Sequence, residues 1–142
     1  IISFLLSGCS NVSKYAKSKS EKASGESAVA DYTCVSKPKS EKKIYVILKN
    51  YHGDYWETVI EGIERAAKEI DAGVYLGGID NETDIDGQIS LMEKAVKEGA
   101  DGILLAPANS NSLVDSCEKV RKKKIPVVLI DSLTVQNLMS AT

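Results

Sequence analysis

Four apolar runs, each followed by an amphipathic or turn-forming stretch, restrict what this chain can fold into more than any other feature. Ile44-Tyr45-Val46-Ile47-Leu48, Val74-Tyr75-Leu76, Gly102-Ile103-Leu104-Leu105-Ala106 and Ile125-Pro126-Val127-Val128-Leu129-Ile130 lack the polar alternation of a strand with one wet face. They read as strands buried on both sides, with Pro126 acceptable at a strand start. Between them, Trp56, Ile60, Ile63, Ala67 and Ile70 recur at helical spacing, with Asp54 as the expected N-cap and Glu57 completing a capping-box-like pair. A second helix is expected to bury Ile85, Ile89, Met92 and Val96, opened by Thr83 and stopped by Gly99. A third begins at Asn109 or Ser110 and turns Leu113, Val114, Cys117 and Val120 inward. Gly77-Gly78 reads as a turn closing the second strand. Alternation of this kind implies an α/β fold, an open parallel sheet with helices on both faces and right-handed crossovers.

In such sheets ligands bind outside the carboxyl ends of the strands. Those ends carry Lys49-Asn50-Tyr51-His52-Gly53-Asp54-Tyr55-Trp56, then Gly78-Ile79-Asp80-Asn81-Glu82, then Pro107-Ala108-Asn109-Ser110, then Asp131-Ser132. The exits are polar and are expected to meet along one rim. A sugar offers hydroxyls that donate and accept, and apolar C–H patches on its ring. Tyr55 and Trp56 supply a candidate ring-stacking face, and Asp131 a candidate bidentate carboxylate, whose charge-assisted hydrogen bonds are stronger than neutral ones. Asn50, Asp80 and Asn109 are further candidates. Each has a structural alternative. Trp56 shares the apolar stripe of its helix, Asp131 suits a helix cap, Asn109 suits a cap better than a ligand contact, and Asp80-Asn81 suits a turn. Lys49 and His52 read as solvated.

The chain of 142 residues opens on Ile1-Ile2-Ser3-Phe4-Leu5-Leu6, a run shorter than the ~20 apolar residues that span a bilayer. It reads as the end of a signal-peptide h-region, and a fragment is expected at both ends. Leu6-Ser7-Gly8-Cys9 resembles the lipobox of bacterial lipoproteins, with Cys9 the acceptor of the diacylglyceryl group. Residues 10–42 are polar and mixed in charge, as in a flexible tether. Ala28-Val29-Ala30 and Tyr32-Thr33-Cys34-Val35 are the exceptions with some capacity to pack. The expected organisation is therefore 1–9 signal-peptide end with lipobox, 10–42 tether, and 43–142 the folded lobe.

Several function classes fall away on composition and motif. A net charge of −2 offers no basic face for nucleic acid. Three cysteines at irregular spacing make neither a disulfide framework nor a metal site. No phosphate loop, dinucleotide fingerprint or nucleophile elbow occurs. A response regulator would need acidic residues after the first strand, where Lys49-Asn50 stand. A lone His is poor support for acid–base catalysis. The chain is not expected to be an enzyme, and no cofactor is implied.

Asp84-Ile85-Asp86-Gly87-Gln88-Ile89, Ala100-Asp101-Gly102-Ile103-Leu104-Leu105-Ala106-Pro107 and Ile125-Pro126-Val127-Val128-Leu129-Ile130-Asp131-Ser132, with the aromatic pair after the first strand, resemble the type I periplasmic sugar-binding proteins. Ribose- and galactose-binding proteins and the core of LacI-type repressors share that fold. The resemblance spans about Lys43 to Ser132 and implies the first of two lobes that close on a ligand. It places the ring-stacking aromatics at Tyr55 and Trp56 and the hydroxyl-binding carboxylate at Asp131. Asp54 stands where the family often has Pro, Ser132 where Arg is frequent, and Pro107 where some relatives place Asn. The implied role is an extracytoplasmic, lipid-anchored receptor handing a small carbohydrate to an ABC transporter permease. The same lobe also serves receptors that signal to a membrane histidine kinase. A LacI-type regulator needs a DNA-binding unit where this chain has a signal-like run and a tether.

Overall fold

A computed structural model describes residues 31–37 and 40–132. Its elements are β1 Thr33–Ser36, β2 Lys43–Leu48, α1 Asp54–Glu69, β3 Gly73–Gly78, α2 Ile85–Lys97, β4 Gly102–Leu105, α3 Val114–Lys122 and β5 Val127–Leu129. One sheet runs in the order β1-β3-β2-β4-β5. β3, β2, β4 and β5 are parallel, as the alternating pattern predicts. β1 is an antiparallel addition on β3. It comes from Thr33-Cys34-Val35, one of the two packing exceptions in the polar stretch 10–42. Cys9 and most of that stretch lie outside the described residues.

Successive residues of the parallel strands point to opposite faces, so each strand feeds two cores. Tyr45, Ile47, Ile103 and Leu105 pack with Leu91, Met92 and Ala95 of α2 and Cys117 and Val120 of α3. Val46, Leu48, Val74 and Leu76 pack with Trp56, Ile60 and Ala67 of α1. Burial of each such side chain contributes about 1.5–3 kcal/mol, so this double burial outweighs any single polar contact at the surface.

The edge next to β1 is fastened by an aromatic strap. The Tyr32 ring meets Tyr45 edge-on at 4.7 Å, and Tyr45 stacks on Tyr75 at 4.9 Å. The Tyr32 hydroxyl donates to the Leu91 carbonyl at 2.8 Å, and Lys94 pairs with Asp31 at 2.6 Å. Gly77 lies beneath this strap, where a Cβ would come within 2.7 Å of the Tyr32 ring. Gly77-Gly78 is therefore not the expected turn; both residues end β3.

The helix starts also differ from expectation. Gly53, with φ of 88°, takes the cap position of α1, and the Asp54 and Glu57 carboxylates sit in the first turn without capping it. Glycine reaches that φ without steric penalty, and the carboxylates still favour the positive end of the helix dipole. Asp84, not Thr83, caps α2 by accepting the Gly87 N–H at 2.9 Å. The Thr83 hydroxyl donates instead to Asn81 Oδ1. Ile70 falls just past α1 in extended backbone and is exposed, so the helical stripe ends one turn earlier than its periodicity predicts. In α2 the fully buried side is Gln88, Leu91, Met92 and Ala95 rather than Ile85, Ile89 and Val96, which pack at its margin.

Candidate functional site

The parallel register brings the ends of β2, β3, β4 and β5 to one rim. β2 lies centrally, with the chain passing first to β3 on one side and then to β4 and β5 on the other. That reversal of direction is where open α/β sheets form a ligand crevice.

Tyr55 and Asp131 meet at this rim. The Tyr55 hydroxyl donates to Asp131 Oδ1 at 2.8 Å, although the two residues are 76 apart in sequence. Tyr55 is 58% exposed, so its ring face is open to a ligand. Trp56 is seated differently: it is 6% exposed, packed in the α1 core, and its ring meets that of Tyr55 edge-on at 5.1 Å. The indole thus supports Tyr55 from beneath while Tyr55 offers the outer surface.

Lys49 is not the solvated side chain expected from its place after a strand. Its ammonium lies 2.8 Å from Asp131 Oδ2 and 2.9 Å from Ser132 Oγ, and its side chain is only 18% exposed. The Ser132 hydroxyl in turn donates to Asp131 Oδ2 at 2.9 Å. The Lys49 ammonium, followed by the Tyr55 and Ser132 hydroxyls, holds the Asp131 carboxyl below the ordinary carboxylate range, with partial burial opposing. The bond to Asp131 correspondingly raises the Tyr55 hydroxyl above its usual value. Asp131 adopts φ of 64°, inside a tight turn in which the Ser132 N–H donates to the Ile130 carbonyl at 2.7 Å. Asp is among the few residue types that tolerate that left-handed backbone. The residues that a helix capped by Asp131 would occupy lie outside the described ones.

The remaining candidates brace the loops of the rim. Asn50 Oδ1 accepts the His52 N–H at 2.9 Å, and its amide reaches Glu82 at 3.4 Å. Asp80 lies 3.9 Å from the exposed His52 ring. Asn109 Oδ1 accepts the Asn111 and Ser112 N–H groups, each at 2.9 Å, and shapes the turn ahead of α3. All three stand on the rim, where Asn50 and Asn109 bond to loop atoms and Asp80 lies beside His52.

Two supporting residues escaped the sequence reading. Gln88 is fully buried; its amide donates to the Ala106 carbonyl at 2.8 Å and its oxygen accepts the Ala108 N–H at 2.9 Å. It thereby clamps the β4 exit beside Pro107. The available signal was one polar residue inside an apolar helix stripe. Tyr51 is buried against Gly78, where a Cβ would meet the Leu48 carbonyl at 2.6 Å and the Tyr51 ring at 2.9 Å. No cluster of three or more His, Cys, Asp or Glu among the described residues is placed to hold a metal.

The profile of the family described as a periplasmic binding protein domain matches residues 44–142. The D-ribose/D-allose-binding protein of Pseudomonas aeruginosa is 32% identical over 92 residues, which are 63% of this chain and 29% of that protein. An ABC transporter solute-binding protein from Agrobacterium vitis, solved with bound D-fucose, aligns with a TM-score of 0.64 at 32% identity, covering 69% of this chain and 34% of its own. A carbohydrate transporter solute-binding protein from Agrobacterium radiobacter, in complex with D-arabinose, aligns with a TM-score of 0.63 at 31% identity, covering 68% and 32%. The chain thus spans about a third of the length of these relatives.

Proposed function

The chain belongs to the periplasmic binding protein domain family, and from that premise we propose that it is the first lobe of an extracytoplasmic solute-binding protein that captures a small carbohydrate and delivers it to an ABC-type importer. The observation that carries this reading is the joining of Tyr55 and Asp131 at 2.8 Å on the rim. An exposed aromatic face beside a carboxylate suits a sugar, which presents C–H patches and hydroxyls together. The ligands named for the aligned relatives, ribose or allose, fucose and arabinose, support the same class. The role is binding and release, not catalysis. Asn50, Asp80 and Asn109 shape the loops that bound the crevice, and Trp56 backs the Tyr55 ring.

A lobe of this kind supplies half of an enclosing site, so tight binding needs the remaining length of the protein. The Leu6-Ser7-Gly8-Cys9 lipobox gives the membrane attachment, since each acyl CH₂ buried contributes about 0.8 kcal/mol. Replacing Cys9 with Ala is expected to release the protein from the membrane fraction; retention there would count against the anchor.

Thermal unfolding of the full-length protein with pentoses, hexoses and inositols tests the ligand class, because a ligand that binds only the native state raises its stability. A rise in Tm with at least one neutral monosaccharide is the expected result. A response to an amino acid or purine, with none to any sugar, would overturn the proposal.

A further inference from the structure

A net charge of −2 conceals a strongly basic surface at one end of the lobe. Lys119, Arg121 and Lys122 lie in the last turn of α3, Lys123 and Lys124 follow it, and all five are exposed. Lys97, exposed at the end of α2, joins them. Lys97, Lys119 and Lys123 edge one groove of about 450 Å³, floored by Met92, Val96 and Val120, with Glu93 the acid on it. None of these six cations forms an ion pair among the described residues. The acids at the end of α2 and the start of β4, Glu98 and Asp101, are already engaged by Tyr45 and Lys42.

One or two cations answer the negative end of a helix dipole. Six exceed that need. The backbone supplies a second, independent observation. Both α2 and α3 are followed by a residue in left-handed conformation, which after α2 is Gly99 with φ of 83°. After α3 it is Lys124, with φ of 64° and its N–H donated to the Arg121 carbonyl at 2.8 Å. Glycine is the usual residue there, and a side chain in that region carries a steric cost. The chain keeps a lysine where glycine would fold more easily.

We propose that this basic end of the lobe docks on an anionic phospholipid bilayer. Five of its six cations are lysines, compact hydrated charges that suit a diffuse negative potential. A shaped acidic protein surface is ordinarily met by arginine, and lysine is depleted from protein interfaces. The Cys9 anchor proposed above keeps the lobe within a tether's length of a bilayer, which raises the effective concentration of headgroups; the patch itself does not depend on that anchor. α2 leads into the start of β4 and α3 into the start of β5, so the patch lies at the opposite end of the lobe from the rim where Tyr55 meets Asp131. A lobe docked this way leaves its rim open to solute.

The test is cosedimentation of the full-length protein carrying Cys9→Ala, so that lipidation contributes nothing. Vesicles of phosphatidylcholine alone are compared with vesicles containing an equal part of phosphatidylglycerol. Binding is expected to the anionic vesicles only, and to weaken as salt is added. Each Lys or Arg near such a surface is worth about fivefold in binding. Lys122→Gln, Lys123→Gln and Lys124→Gln together are therefore expected to lower it by about a hundredfold, and arginine at the same three positions to retain it. Should the triple variant fail to fold, as judged by thermal unfolding, Lys119→Gln with Lys122→Gln replaces it, with a loss of about 25-fold. Lys124→Gly is expected to raise Tm while weakening vesicle binding about fivefold, a pairing that a merely structural lysine would not give. Arg65→Gln with Lys68→Gln, exposed on α1, is expected to leave binding unchanged. No binding to anionic vesicles overturns the proposal, and so does an equal loss in the α1 variant, which would assign the effect to net charge. Self-association abolished by the same lysine substitutions also overturns it, assigning the patch to the acidic α1 of a second copy. None of these outcomes bears on the carbohydrate reading, which the ligand screen tests separately.

Discussion

At the β3 and β4 exits Asn81 and Asn109 bond within a few residues of themselves, whereas at the β2 and β5 exits Lys49, Tyr55 and Asp131 bond across most of the chain. Asn81 Oδ1 takes both the N–H and the hydroxyl of Thr83, and Asn109 Oδ1 takes the N–H groups of Asn111 and Ser112. Tyr55 and Lys49 instead reach Asp131 and Ser132, over separations of 76 and 83 residues. The first kind of contact shapes a loop whether or not the rest of the sheet is in place. The second exists only once β5 has paired with β4 and β4 with β2. One half of the rim is thus set by local turn chemistry, and the other half reports on the assembled sheet.

Gln88 is where the contrast can be broken most severely, because it is a long-range contact that serves a local loop. Gln88→Ala leaves the Ala106 carbonyl and the Ala108 N–H without their side-chain partner. A loss of about 3 kcal/mol is expected, at roughly 1–3 kcal/mol for each buried group left unpaired, measured by urea unfolding of the full-length protein. A loss below about 1 kcal/mol would mean that water substitutes for the clamp. Gly78→Ala comes next. Its Cβ would press on the Leu48 carbonyl at 2.6 Å and on Tyr51, so a loss of about 2 kcal/mol is expected from overpacking at the β2 and β3 exits.

Smaller effects sharpen the comparison. Asn109→Ala removes two turn hydrogen bonds and is expected to lower stability by about 1 kcal/mol, as for a lost helix cap, with little variation between pH 7 and pH 3.5. Asp131→Asn is expected to lower stability by less than about 1 kcal/mol at neutral pH, since its pair with Lys49 is partly screened by solvent. Its effect depends on pH. The folded-state value of Asp131 lies below the unfolded one, so its contribution is complete above the ordinary carboxylate value of about 3.9 and is lost as pH falls through the folded value. The gap between wild type and Asp131→Asn should therefore close on acidification while the Asn109→Ala gap persists. Equal pH dependence in both variants would erase the distinction between the two halves of the rim.

What could be read in advance follows the same division. The parallel strands were legible because Ile44–Leu48 and Gly102–Leu105 are apolar on both faces, which only a covered sheet accommodates. The rim itself was legible, since parallel strands place their exits together. Asp131 was singled out by its position after the last apolar run, and Asn109 was recognised as a turn former. Lys49 was misread because a lysine after a strand is ordinarily solvated, and nothing nearby in sequence announces a carboxylate 82 positions on. Gln88 was obscured by an apolar helix face whose buried side is rotated by about one residue from the expected one. β1 is legible in the sequence only as an exception in a polar stretch, because its stability comes from the β3 edge and the tyrosine strap rather than from its own composition.

Hydrophobic periodicity alone determined the layers of this protein, the direction of its parallel strands and the edge along which their exits gather, because burial is roughly proportional to apolar area and needs no particular partner. Tertiary structure alone decided that Tyr55 bonds to Asp131, that Gln88 serves a loop, and that Lys49 neutralises Asp131. Those outcomes depend on hydrogen bonds and charge pairs, which are directional and act only over a few ångströms. They are fixed by the distances between strands, which no local stretch of the chain encodes.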